Sequence, residues 1–408
     1  SSGSRGVGQS PAGDPTLRRA ASDSTVPPSP SRTAAPGPVV ITVAPGRTAQ
    51  INPTTPIHVG VTRGRLTAVR LINPVEDKLV TGRITPDGAA WTSAEVLGYG
   101  QTYTLSAVAE DAAGRRVSKT VSLSTLAPAN MTMPYLNTTG GLPLRNGATY
   151  GVGIVPVVHF DEPVTDRAAA ERALIVTTTP RLTGVWNWVD NQNVHWRPRT
   201  YFPTGTKVTV TAKVYGVQVG QGLYGQADQS VSFTIGAKHV SVADDKTKQV
   251  KVYFNDQLVR IMPTSMGQGG YVTGTGGQQI SLWTMPGTYT VIGHQDPVLM
   301  DSSTFGLPVN SPKGYKEYIY KATQISTDGI YLHQLDSTVW AQGNTDVSHG
   351  CLNLNRANAQ FFYTTSQVGD VVQVINTGGP KLQIWQNGDW SVPWLTWTKG
   401  SEIGRAHV

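Results

Sequence analysis

The chain has 408 residues, a single cysteine, a net charge of +7 and only 14% charged residues, a length that at roughly 100–200 residues per domain predicts three domains. No Lys/Arg-rich run marks a nucleic-acid groove, and no stretch approaches the ~18 consecutive apolar residues of a membrane span, so neither partner is expected from these residues themselves. The 44 Gly and 27 Pro, with frequent Val and Thr, favour short strands joined by turns, and the predicted class is mainly β.

Residues 1–36 are rich in Ser, Pro, Ala, Gly and Arg and nearly lack large apolar side chains, so they cannot bury enough surface to offset the entropy of ordering. They are expected to be a flexible tether, holding a folded body away from a surface, or an end without a role. The opening Ser1-Ser2-Gly3-Ser4, with no apolar leader behind it, suggests a trimmed start from which an export signal or membrane anchor is missing.

Over 37–127, alternating segments at 39–43, 57–61 and 102–107 are separated by Gly, Pro, Asn and Asp, the spacing of an immunoglobulin-like sandwich. A second set fills 128–236, with strands expected at 155–160 and 207–212. Trp91 lies nine residues before Gly100 and Trp196 nine before Gly205, a constant offset of 105 residues that points to a tandem repeat. Neither copy has paired cysteines. Trp91 and Trp196 are expected as core anchors, with sugar stacking as the other use.

A further β domain is expected over 237–377, opening with a hairpin at 239–254 and adding strands at 287–292, 322–325 and 371–375. The Gly-rich stretch 267–277 lacks the strand-loop-helix setting and the Lys of a phosphate loop, and is read as a mobile loop. Only 355–365 resembles a helix, capped by Asn355 with Ala359, Phe362 and Tyr363 on one face. Trp385, Trp390, Trp394 and Trp397 crowd the segment 378–400, a density that predicts packing on a domain surface. Residues 401–408 are expected to be a disordered tail.

The one cysteine stands in Ser348-His349-Gly350-Cys351-Leu352-Asn353. A catalytic thiol needs a proton acceptor, donors where an oxyanion develops, and access for substrate. His333 ends a strand-like segment and is the candidate acceptor; as an imidazolium it would depress the thiol below its free value of about 8.5. No acid follows it, so the backbone carbonyl of Gln334 is the expected orienting group. The amides of Gly350 and Cys351, helped by the N-terminus of the following helix, are the expected oxyanion donors. A buried structural thiol and a zinc site are the competing readings. His349 and Cys351 make an awkward chelate and no spaced second cluster follows, so no metal and no cofactor are expected.

His333, fourteen residues, and then Ser-His-Gly-Cys-x-Asn resembles the signature of the YkuD-type L,D-transpeptidases. The stretch 300–315 is similar to the substrate-lid region of the mycobacterial members, which also carry tandem immunoglobulin-like domains ahead of the catalytic one and a Trp-rich segment behind it. The resemblance thus covers about residues 37–400. It implies acyl transfer in peptidoglycan, with stem peptides as donor and acceptor. Cys351 would attack the meso-diaminopimelate carbonyl of a tetrapeptide stem, release D-alanine, and pass the acyl group to the side-chain amine of another stem, giving a 3→3 cross-link. It implies His333 as acid/base, Ser348, His349 and Asn353 shaping the site, Tyr315 binding substrate or oxyanion, and Met300 lining the pocket under the lid. It further implies acylation by carbapenems, and an exported, membrane-anchored protein on the periplasmic side of the envelope. An L,D-carboxypeptidase of the same fold and a non-catalytic wall-binding scaffold are the alternatives. Several mycobacterial members have Ser after the catalytic His and a Pro-Trp pair two residues later; here Gln334 and Asp336-Ser337 stand in those places, with Trp340 nearby in the loop 335–344.

Overall fold

The computed structural model describes residues 37–404. The tether expected at 1–36 and the last residues of the expected tail, 405–408, lie outside the described residues. The chain forms two compact units, one within residues 37–125 and one built mainly from residue 126 onward.

The first unit is a sandwich. One sheet orders Val40–Ala44, His58–Thr62, Ala90–Ser93 and Gly82–Ile84, and the other orders Lys78–Val80, Arg65–Asn73, Thr102–Glu110 and Arg116–Ser124. Alternation along Thr102–Glu110 turns Tyr103, Leu105, Ala107 and Ala109 into a core shared with Trp91, Ile57 and Leu71.

The second unit begins with a sandwich in which one sheet repeats the strand order of the first. Val157–Phe160 pairs with Asn193–Pro198, which pairs with Gly184–Trp188, just as His58–Thr62, Ala90–Ser93 and Gly82–Ile84 are joined in the first. In both sandwiches a glycine lies against the repeated tryptophan. A Cβ on Gly82 would fall 2.2 Å from Trp91 Cζ2, and one on Gly184 would fall 2.0 Å from Trp196 Cζ2, so a larger residue has no room. Both tryptophans are buried, the core role expected of them.

The cysteine-bearing domain packs two sheets and a helix around one core. The first sheet orders Gln257–Pro263, Gln249–Phe254, His239–Asp244, Val371–Ile375 and Gly287–Thr290. The second orders Gly293–Gln295, Lys316–Gln324, Tyr331–Gln334 and Leu352–Leu354, with Val298–Asp301 also paired to Lys316–Gln324. Met262, Tyr289, Leu332, Leu352, Leu354, Phe362 and Val374 fill the space between. Helix Arg356–Thr365 starts at Asn355, whose side chain accepts the Asn358 N–H at 2.8 Å. It buries Ala359 and Phe362, while half-buried Tyr363 stands edge-on to His294. Val371 reaches past this domain into the core of the second sandwich, so the two domains share apolar packing.

Two expectations are revised. The stretch read as a mobile loop holds a strand, Tyr271–Thr273, that forms a hairpin with Gln279–Ser281 just beyond it, because the alternation Tyr-Val-Thr suffices to set a register across a glycine turn. The expected tail does not begin at 401. Ser401 is buried and donates to Glu171 Oε2 at 2.6 Å, and the Glu402 N–H donates to Glu171 Oε1 at 2.9 Å. Ahead of it the Trp-rich segment packs on the second sandwich: Trp390 Nε1 donates to Gly153 O at 2.7 Å and buried Trp397 donates to Val185 O at 2.9 Å.

The glycine–tryptophan contact is testable. Gly184→Ala is expected to destabilise the second unit by about 1–3 kcal/mol in urea unfolding. Gly293→Ala, whose Cβ would meet only Gln324 Oε1 at 3.9 Å, should cost much less, and equal losses at the two positions would refute the contact's importance.

Candidate active site

Leu332, Leu352 and Leu354 point into the core. Strand alternation therefore turns Tyr331, His333, Cys351 and Asn353 to the opposite face. The two strands run parallel, with Leu332 level with Leu352 and His333 level with Asn353. Cys351, one step before Leu352, stands level with Tyr331 and diagonal to His333. Diagonal neighbours on one face lie ~7–8 Å apart, a gap that side chains cross.

His333 is buried, and its Nδ1 lies 3.0 Å from Gln334 O. A carbonyl only accepts, so Nδ1 carries the proton and Nε2 is left as the acceptor. Burial pushes the imidazole down to about 4, opposed by the Gln334 carbonyl and the Asn353 side chain. Cys351 is half-buried; its thiol donates to Gly329 O at 3.5 Å and accepts the Tyr331 N–H at 3.4 Å. Burial pushes the thiol up to about 12, opposed by the Tyr331 N–H and reinforced by the Glu317 and Asp328 carboxylates. Among the hydrogen bonds of the described residues none joins His333 to Cys351. The imidazolium that was expected to depress the thiol is therefore not the resting state. Burial penalises the charged form of each group, and no direct hydrogen bond between them offsets it.

A tight turn presents the cysteine. Ser348 Oγ donates to Cys351 O at 2.6 Å and accepts the Gly350 N–H at 3.1 Å, while Thr284 Oγ1 donates to Gly350 O at 2.6 Å. Gly350 adopts φ 140°, and a Cβ there would come within 2.8 Å of Ile330 Cδ1. Of the two amides expected as oxyanion donors, that of Gly350 donates to Ser348 Oγ and that of Cys351 has no acceptor among the described residues. The helix contributes less than expected. Leu352–Leu354 intervenes and sets its N-terminus ~10 Å farther along the chain.

The lid region closes on itself. Ser302 Oγ lies 2.9 Å from Leu307 O, 3.1 Å from Tyr315 O and 2.9 Å from Tyr315 N, joining both ends of the 302–315 loop. The Tyr315 ring is 4.5 Å from that of His349, and His349 Nε2 donates to Lys313 O at 2.9 Å, so the lid is tied to the cysteine turn. Met300 and Cys351 both pack against the cluster of Ile319, Ala322 and Tyr331. Asn353 is buried, and its Oδ1 has no hydrogen-bond donor among the described residues. The side chain of Gln334 turns away to Asp336, at 3.0 and 3.3 Å from its two oxygens. The nine residues singled out from the sequence thus fall on one strand pair, the turn before Cys351, the strand Val298–Asp301 and the 302–315 loop. Ser302, Thr284 and Gly329 were not singled out. A hydroxyl or a turn glycine carries no pattern that reveals which distant backbone it will fasten.

A family model described as the YkuD L,D-transpeptidase catalytic domain matches residues 238–374, and one described as a bacterial Ig domain matches residues 48–218. The chain is 40% identical over 347 residues to L,D-transpeptidase 2 of Mycobacterium tuberculosis (strain CDC 1551 / Oshkosh), covering 85% of this chain and 80% of that protein. It is 33% identical to L,D-transpeptidase 5 of M. tuberculosis (strain ATCC 25618 / H37Rv), covering 87% and 75% respectively. A crystal structure of L,D-transpeptidase 3 from M. tuberculosis in complex with a faropenem-derived adduct is 32% identical, covers 57% of this chain and 95% of that one, and superposes with a TM-score of 0.46.

A thiol held at about 12 has a thiolate fraction that rises tenfold per pH unit far beyond neutrality. Alkylation of Cys351 by iodoacetamide should accordingly keep rising from pH 7 to 10 without levelling. A plateau below pH 9 would show an ordinary or depressed thiol instead.

Proposed function

The chain belongs to the L,D-transpeptidases with a YkuD catalytic domain, and we propose that it forms 3→3 cross-links in peptidoglycan through a thioester on Cys351. The observation that carries this reading is the Cys351 sulfur and the acceptor Nε2 of His333 on one face of a parallel strand pair, with the Tyr315 ring against His349 of the cysteine turn. The Cys351 sulfur turns from Gly329 O toward His333 and attacks the carbonyl of the third stem residue, meso-diaminopimelate, as Nε2 takes its proton. A neutral pair suits this step, since proton transfer accompanies bond formation and no buried ion pair has to exist beforehand. The Cys351 amide, aimed by the Ser348 turn, meets the developing oxyanion.

His333 then returns the proton to the departing amine of D-alanine as the C–N bond breaks, leaving the thioester. The side-chain amine of a second stem attacks that carbonyl and yields its proton to His333, which reprotonates the leaving sulfur. Carbapenems follow the first half alone: attack opens the lactam C–N bond, the ring nitrogen takes the proton, and the acyl group stays on sulfur. A substrate outside the cytoplasmic membrane fits an exported protein anchored at the periplasmic side of the envelope.

Intact-mass measurement after incubation with a carbapenem should give a single adduct on the native chain and none on Cys351→Ala. With disaccharide-tetrapeptide as substrate, a cross-linked dimer lacking one D-alanine is expected. Tripeptide alone would assign an L,D-carboxypeptidase, and neither adduct nor product would leave the scaffold reading. Ser348→Ala, which loosens the turn but leaves the sulfur, is expected to slow adduct formation about 10- to 100-fold; an undiminished rate would remove Ser348 from the site.

A further inference from the structure

The C-terminal segment reaches the back of the cysteine through a short run of hydrogen bonds. Gln386 Nε2 donates to Asp328 Oδ2 at 3.0 Å, and Asp328 Oδ1 accepts the Ser326 hydroxyl at 2.5 Å. Ser326 Oγ in turn accepts the Ile330 N–H at 2.9 Å. These bonds close a turn around Gly329, whose φ is 97°. The turn ends in the two groups that hold the sulfur, Gly329 O and the Tyr331 N–H. The same segment grips the turn elsewhere: Thr327 Oγ1 donates to Trp385 O at 2.7 Å and Asn387 Nδ2 donates to Ile325 O at 2.7 Å. Beyond Gln386 the segment is fastened to the second sandwich. Asp389 Oδ2 lies 2.6 Å from His195 Nδ1, and the Arg197 guanidinium sits 4.6 Å from the Trp390 ring and 4.5 Å from the Trp397 ring.

We infer that Asp328 and Gln386 are positioning residues for Cys351: the bond between them fixes the Gly329 turn and ties the reactivity of the thiol to the docking of the C-terminal segment on the second sandwich. The inference rests on the acyl-transfer reading and adds to it two residues that touch neither sulfur nor substrate. A purely electrostatic part for Asp328 makes the opposite forecast. Its charge helps push the thiol up, so removing that charge would ease ionisation and speed reaction, whereas loss of positioning slows it.

The test uses the full chain, with the rate of carbapenem adduct formation read by intact mass and the thermal midpoint recorded for each variant. Gln386→Glu sets two carboxylates against each other and is expected to slow acylation about 10- to 100-fold. Combining it with Asp328→Asn reverses which partner donates, and leaves the Gln383 N–H the acceptor it now holds at 2.8 Å. The paired change is expected to recover the native rate to within about threefold, the signature of a direct pairwise coupling. A native rate in Gln386→Glu, a faster one, or a slow one that the paired change does not recover would each overturn the inference. So would a lowered midpoint with an unchanged rate. Failure of the native chain itself to form an adduct would instead overturn the acyl-transfer reading.

Discussion

The parallel pairing of Tyr331–Gln334 with Leu352–Leu354 is the constraint on which the site depends. Three leucines on one face commit both strands to the core, and alternation then leaves the histidine and the cysteine no choice of face. A slip of one residue in either strand would bury His333 or Cys351 among Met262, Tyr289 and Phe362 and expose leucines in their place. Apolar packing beneath the sheet and acid–base geometry above it are thus set by the same register. The Ser348 turn adds the fine adjustment by fixing the peptide before Gly350 and the one after Cys351.

The Trp-rich segment extends that constraint across domains. Arg197 is 2% exposed, pushed down to about 10 by burial with Asp389 opposing, and so remains charged at neutral pH. Its cation is matched by indole faces, and one guanidinium nitrogen donates to Val392 O. A charge of this kind specifies position: the segment has few other ways to lie that would keep the guanidinium accommodated. With Val371 also shared between the two cores, the second sandwich is built into the cysteine-bearing domain as a structural neighbour.

Much of this was legible because it is local or periodic. The strands Lys207–Ala212, Gln249–Phe254 and Val371–Ile375 alternate within their own length, Asn355 caps the helix it precedes, and the Trp91/Trp196 offset exposes the repeat. His333 and Cys351 were legible as a spaced pair. What the sequence withheld depends on contacts far along the chain. Thr284 meets Gly350 across 66 residues and Gln386 meets Asp328 across 58, and neither side chain belongs to a pattern. The ionisation state was withheld for the same reason, since burial comes from the assembled surroundings. The hairpin at Tyr271–Thr273 was hidden by the glycines of its turn, which read as mobility.

The neutral thiol has a consequence for chemical endurance. Thiolate, not thiol, is the species that attacks disulfides and peroxides, and the chain offers no second cysteine to rescue a sulfenic acid. By holding Cys351 protonated at rest, the fold withholds its electrons from oxidants that merely diffuse past. In the proposed reaction those electrons are released when a carbonyl and His333 are both in place. Burial thereby keeps a solitary cysteine slow to oxidise.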